Sequence, residues 1–273
     1  MTNQKRGSII HLAVLPGIIC FLIWMAAPVL AAEISGPDIM KKVDQLEDGD
    51  DQSSRAVYTL INRRGQQRVR DTVRFWKDYN GREGFDSKMI TFFESPPDVK
   101  GTGFLSWSYM DEDRDDDQWL FLPALRKVRR IAAGNKDDYF MGTDFTYDDM
   151  GDRKVEEDTH TLLRSEPCGT VECYVVESVP KRKKDMYSKK ITWVDSKRWL
   201  IQKVDFYDRK GRFLKTLTMA WQEVKGIWTW KRGEMKNHLS QHSTVIDVQE
   251  VKVNTGLEDR VFIERTLKRG MTF

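Results

Sequence analysis

Apolar and polar residues alternate with a period of two along most of this chain. Successive side chains leave a β-strand on opposite sides, so this pattern predicts strands with two different faces. Residues 55–61 (RAVYTLI) and 67–76 (QRVRDTVRFW) form the first pair, joined through Arg63-Arg64-Gly65. In the second of these, Val69, Val73 and Phe75 share one face, while Arg68, Arg70, Thr72 and Arg74 share the other. The apolar face is expected to look inward. Residues 87–94, stopped by Pro96-Pro97, and 102–110 continue the pattern. So do residues 159–163, 171–179, 189–194, 199–207, 214–221, 227–235 and 244–253, separated by turn-forming residues. Short strands at this spacing, with few helical periods between them, predict a mainly β, antiparallel fold curved into a barrel or half-barrel.

One early segment departs from period two. Ser35 is placed to cap a helix, Pro37 suits its first turn, and Ile39, Val43 and Leu46 recur at helical spacing. The acidic stretch 47–54 then ends it.

The segment 118–131, QWLFLPALRKVRRI, changes abruptly from apolar to basic. It reads as two strands about Pro123-Ala124. Trp119 and Phe121 fall on one side and Leu120 and Leu122 on the other, so the first strand is expected to be covered on both faces. In the return strand Arg126, Lys127, Arg129 and Arg130 point to solvent or to the acidic loop 111–118. That loop has the alternating Asp of a calcium site. It carries Asp116 where such a site needs Gly and Leu122 where it needs Glu, so a solvated hairpin loop is expected instead.

The chain starts with Lys5 and Arg6, then an apolar run, then VLAA at 29–32. These are the parts of a secretory signal peptide, cleaved after Ala31 or one residue later, with an uncleaved anchor as the alternative. Lys5 and Arg6 leave with it, so 43 basic residues then face 42 acidic ones. Balanced charge gives no reason to expect nucleic acid. An exported domain of this size buries its own core, and a periplasmic setting follows. Cys168 and Cys173 are the cysteines that remain, and in an oxidising compartment they are a candidate disulfide. No third and fourth ligand accompanies them for a metal site. The remaining histidines, His160, His238 and His242, sit in no metalloprotease motif. The chain has no nucleophile elbow and no phosphate-binding loop, so no enzyme and no cofactor is expected.

WLFLPALRKVRRI, followed by a Gly-containing loop and MGTDFTYDDM at 141–150, resembles the paired signature of the outer-membrane lipoprotein-sorting protein family. SPPDVKGTGFLSW at 95–107 and ITWVDSKRWLIQKVDFYDRKG at 191–211 are similar to the same family, so the resemblance covers most of residues 32–273. It implies a LolA-like half-barrel of about eleven strands whose concave face is closed by helices. Residues 143–149 would be a lid-like helical turn capped by Thr143 or Asp144. It also implies a monomeric carrier of lipid or acylated protein, serving an inner-membrane exporter of the RND/MMPL type. A sensor or an exporter accessory without cargo is the alternative.

A carrier of this kind needs an apolar cavity rather than a reactive group. The alternating faces offer Val69, Val73, Phe75, Ile90, Phe92, Phe104, Val204, Phe206, Leu217, Met219, Trp221, Trp228 and Trp230 as its candidate lining. Arg126, Lys127, Arg129 and Arg130 are the candidate docking residues.

Overall fold

The computed structural model describes residue 1, residues 34–183 and residues 185–270. The signal peptide expected at 1–31 lies outside the described residues. Thirteen strands form one antiparallel sheet. They are β1 (Asp51–Ile61), β2 (Gln67–Asp78), β3 (Phe85–Ser95), β4 (Gly103–Tyr109), β5 (Asp117–Leu122), β6 (Lys127–Arg130) and β7 (Asp158–Cys168). Then come β8 (Val171–Pro180), β9 (Tyr187–Asp195), β10 (Ile201–Asp208), β11 (Phe213–Val224), β12 (Ile227–Asn237) and β13 (His242–Val253). Strand order across the sheet is β6-β5-β4-β3-β2-β1-β13-β12-β11-β10-β9-β8-β7. Each neighbour pair except β1–β13 is consecutive in sequence, so local turns set nearly all of the pairing. The resemblance implied about eleven strands, and the sheet has thirteen.

The sheet is open: β6 and β7 are its edges and do not pair with each other. It is also strongly curved. β4 and β11 stand six places apart in the order, which is about 29 Å in a flat sheet. Ser106 and Ser108 of β4 nevertheless line the same cavity as Trp221 of β11. Both edges are protected against further pairing. β6 is four residues long, with Lys127, Arg129 and Arg130 exposed. β7 is approached by helix α1 (Gly36–Asp44), where Gly36 packs so closely that an added Cβ would lie 2.8 Å from the His160 and Leu162 backbone. Ser35 caps α1 as its sequence predicts, and Asp38 returns a bond to the Ser35 backbone.

The two faces of the sheet carry separate cores. On the outer face, cross-strand pairing puts Val73 against Phe92, Phe75 against Ile90, and Ile90 against Leu105. Helix α2 (Glu264–Arg269) and the turn before it cover this patch with Leu267 and Phe262, both fully buried. A Cβ on Gly103 would meet Leu267 Cδ1 at 2.7 Å and the Phe92 ring at 3.2 Å, so any larger residue there makes Leu267 of α2 shift. Trp119 joins this outer core while Leu120 joins the inner one, so β5 is buried on both faces.

On the inner face, helix α1 covers one side, with Ile39 packed on Val176 and Val194. The long connection from β6 to β7 crosses the rest as extended chain with short 3-10 turns at Phe140–Gly142 and Asp148–Met150. The reciprocal cap is between Thr146 and Asp149, not at Thr143 or Asp144. Phe140 and Tyr147 of this connection pack on Phe104, with ring centroids 5.0 Å and 6.0 Å away. Phe145 packs with Tyr58, Val204, Phe206 and Leu217. Cys168 and Cys173 are bonded across the end of the β7–β8 hairpin, with Cα atoms 5.9 Å apart.

Candidate functional site

Between α1, the β6–β7 connection and the inner face of the sheet lies a cavity of about 590 Å³. That is within the range of ligand sites for a drug-sized molecule. Its walls change character from inside to outside. Trp76, Trp199, Trp221, Trp228 and Trp230 line it, with Met89, Met150, Ile201 and Ile246. Rings with few rotatable bonds, together with flexible methionines, suit an irregular apolar guest. Ser106 and Ser108 supply hydroxyls, and Arg74 brings a guanidinium into the cavity. Burial pulls the Arg74 group down from its ordinary value. Its Nε donates 3.0 Å to Met89 Sδ. The acids Asp44, Glu47 and Asp48, at the end of α1 and just beyond, stand with Asp152 at the exposed part of the lining.

Sheet parity decides which of the sequence-derived residues reach this cavity. Trp221, Trp228 and Trp230 line it. Val204, Phe206 and Leu217 lie on the same inner face but are packed into the core under Phe145, with Met219 against them. Phe104 is inner-facing and sealed by Phe140 and Tyr147. The structure puts Val73, Phe75, Ile90 and Phe92 on the outer face beneath α2. Val69 shares the parity of Val73 but lies beyond the cover of α2 and is 47% exposed. On β2 the inner residues are Thr72, Arg74 and Trp76, the face that polarity alone marks as wet. Two covered faces make the apolar one ambiguous, and here the more polar face is the one that lines the cavity.

The segment above the cavity is anchored by buried charge. Lys215 Nζ donates to Asp149 Oδ2 at 2.5 Å and to the Asp144 carbonyl at 3.0 Å. Tyr187 Oη donates 2.8 Å to Asp149 Oδ1. Burial alone would raise the Asp149 carboxyl, but Lys215 and the Thr146 amide hold it below the usual range. The histidines are engaged structurally. His160 contacts Ser178 Oγ and the Val155 carbonyl at 2.8 Å each, His242 lies 2.7 Å from Asp144, and His238 lies 2.9 Å from Thr216. Among the described residues no group of His, Cys, Asp or Glu is arranged to hold a metal ion, and no helix is long and apolar enough to cross a membrane. A second cleft, about 530 Å³, lies at the far end of β1 and β2 and is lined by Arg68, Arg70 and His242.

Arg126, Lys127 and Arg129 are exposed on and beside β6, and Arg130 is ion-paired with Asp117. Arg126 has φ +50°, the left-handed conformation that turns the chain from Pro123–Leu125 into β6.

Comparison with known proteins agrees with this architecture. A family model described as an uncharacterized protein matches residues 85–269. An outer membrane lipoprotein-sorting protein domain from Vibrio parahaemolyticus is 33% identical, covering 86% of this chain and 98% of that one, with a TM-score of 0.80. The chain belongs to the outer-membrane lipoprotein-sorting protein family. A DUF1329 family protein from Desulfovibrio piger, also 33% identical, covers 85% of this chain and 97% of its own, with a TM-score of 0.81. A LolA superfamily protein from Nitrosomonas europaea shares the fold at 19% identity, covering 84% of this chain and 98% of that chain, with a TM-score of 0.65. A search of functionally curated proteins finds no match. The lipoprotein-sorting family thus accounts for the open antiparallel sheet over most of the chain.

Proposed function

We propose that this member of the lipoprotein-sorting family is a periplasmic carrier that shelters the acyl part of a lipid or lipidated protein in the tryptophan-lined cavity. The observation that carries the reading is the cavity of about 590 Å³ on the inner face of an open sheet. Its apolar walls hide hydrocarbon, and each buried methylene contributes about 0.8 kcal/mol. The lining assigned to cargo is Trp76, Met89, Ile201, Trp221, Trp228 and Trp230. Residues 1–31 act as the export signal, and the domain works as a monomer. Arg126, Lys127 and Arg129, exposed at the sheet edge, present the docking surface for an inner-membrane exporter of the RND/MMPL type.

Native mass spectrometry of protein purified from the periplasm without detergent tests this reading. A discrete, stoichiometric acyl-bearing adduct supports it. A bare mass that stays bare after incubation with membranes overturns it, and leaves an exporter accessory without cargo as the better account.

A further inference from the structure

The turns at one end of the central strands make a continuous surface of their own. The pairing of β1 with β2 and β13, and of β12 with β11 and β13, sets the β1–β2, β12–β13 and β10–β11 turns side by side. Direct contacts join them. His242, which opens β13, lines the second cleft together with Asn62, Gln66 and Arg68 of the first hairpin. His238 stacks on Phe213, just past the third turn, with ring centroids 4.3 Å apart. The cover reaches the same place, where Asn237 Nδ2 donates 2.9 Å to Tyr139 Oη.

This surface is basic. Residues 32–273 are balanced in charge, so a basic end is a concentration of charge and not an overall excess. Residues 62–68 hold Arg63, Arg64 and Arg68 and no acid, and residues 209–212 are Arg-Lys-Gly-Arg. Arg209 is paired with Asp137 and Arg212 with Asp208. Arg63, Arg64, Arg68 and Lys210 are exposed and pair with no carboxylate of the described residues. Asp98, near Arg70, and Asp138, next to Tyr139, are exposed acids beside this surface, and neither pairs with those four cations.

Apolar side chains project among the cations. Asn237 Oδ1 accepts from the Leu239 and Ser240 amides at 3.0 Å each, which folds a tight turn and leaves Leu239 projecting from it, 50% exposed. Phe213, Tyr139 and Val69 are exposed as well. These side chains are spread over separate turns rather than gathered in one groove. A folded partner would need a separate pocket for each, whereas a fluid headgroup layer takes each where it stands. An anionic layer also supplies the countercharge that the four unpaired cations lack.

We propose that these turns dock the protein on an anionic phospholipid surface, with Arg63, Arg64, Arg68 and Lys210 among the headgroups and Leu239 inserted between them. Attachment of this kind adds buried apolar area to electrostatic attraction, so both sets of side chains contribute. The inference goes beyond the carrier reading and requires no cargo in the cavity.

Flotation of the chain purified from the periplasm with lipid vesicles tests it. Vesicles of phosphatidylcholine alone are compared with vesicles of equal parts phosphatidylcholine and phosphatidylglycerol, at low and at high salt. Partitioning about tenfold or more in favour of the anionic vesicles is expected, with the gap narrowing as salt screens the charges. The quadruple variant Arg63→Gln, Arg64→Gln, Arg68→Gln, Lys210→Gln alters exposed, unpaired side chains. It should keep its melting temperature and lose most of the preference for anionic lipid. Leu239→Ser should weaken binding to anionic vesicles several-fold at either salt concentration. Binding no better to anionic than to neutral vesicles overturns the inference, and leaves an acidic protein partner as the account of these turns. Anionic binding that persists in the quadruple variant also overturns it. So does binding that is lost instead on charge reversal at Arg126, Lys127 and Arg129, which would place the contact on β6. None of these outcomes bears on whether the cavity holds an acyl chain, which native mass spectrometry decides separately.

Discussion

Lys215 Nζ lies 2.5 Å from Asp149 Oδ2, with the lysine side chain fully buried and the aspartate nearly so. Lys215 stands on β11 and Asp149 on the long β6–β7 connection, so this pair fastens the cover to the sheet. Removing one partner leaves the other as a buried, uncompensated charge. Lys215→Met is therefore expected to cost about 3–5 kcal/mol. Adding Asp149→Asn to that variant should recover part of the loss, because the orphaned charge goes with it. Chemical denaturation of the single and double variants checks both. The wild-type contribution is present above the ordinary carboxylate range. It is lost as pH falls through the depressed value of Asp149.

The two faces of the sheet should separate in experiment. Ile90→Ala empties a site in the outer core under α2 and is expected to cost about 2–5 kcal/mol, without changing affinity for an apolar probe. Trp221→Ala or Trp230→Ala opens the cavity wall and should weaken probe binding several-fold, with a smaller loss of stability because the rings are only partly packed. Paired melting curves and probe titrations would show whether the effects fall on opposite axes as expected.

This division also marks how far the sequence could be read. Every strand has a counterpart among the segments that the sequence picks out, most of them by a wet or distinct face that keeps period two, and β5 and β6 by the abrupt change from apolar to basic. Faces were harder. Val73, Phe75, Ile90 and Phe92 are apolar because α2 covers them, and α2 comes from the far end of the chain. Nothing near β2 or β3 in sequence announces it. Arg74 and Thr72 look like solvent-facing residues, yet they share the inner face with Trp76. The tryptophans of β11 and β12 stood out as large rings, but simple alternation would put Trp228 and Trp230 with Arg232 and Glu234, and the register shift between Ala220 and Trp221 is what places them on the inner face. The acidic residues after α1 read as a loop, and only the fold brings them to a cavity.

Asp116 carries a second pH signature, of opposite sign to that of Asp149. Burial and the nearby Asp152 push its carboxyl up to about 7. The folded state then holds a proton more tightly than the unfolded chain. Stability from this group is full below the ordinary carboxylate value and falls as pH rises through about 7. Asp116→Asn, which can still accept from the Asp152 amide at 2.9 Å, should raise the melting temperature at pH 8 and change it little at pH 5. A variant that melts lower at pH 8 would contradict this.

Charge reversal at Arg126, Lys127 and Arg129 should leave the melting temperature within a few degrees of wild type, because all three are exposed. Arg130 is better left intact, since it pairs with Asp117. If β6 is the docking edge, the triple variant exports cargo poorly in cells while binding the apolar probe normally. Unchanged export with the triple variant would move the docking surface elsewhere.

The sheet ends in two edges that never meet. In a closed barrel the bore is set by strand number and stagger, and widening it means breaking ladder hydrogen bonds. An open arc carries no such constraint, since its curvature is not fixed by ladder closure. Guest size is set instead by the cover that ties the arc together, through Phe140 and Tyr147 on Phe104 at one side and Asp149 on Lys215 at the other.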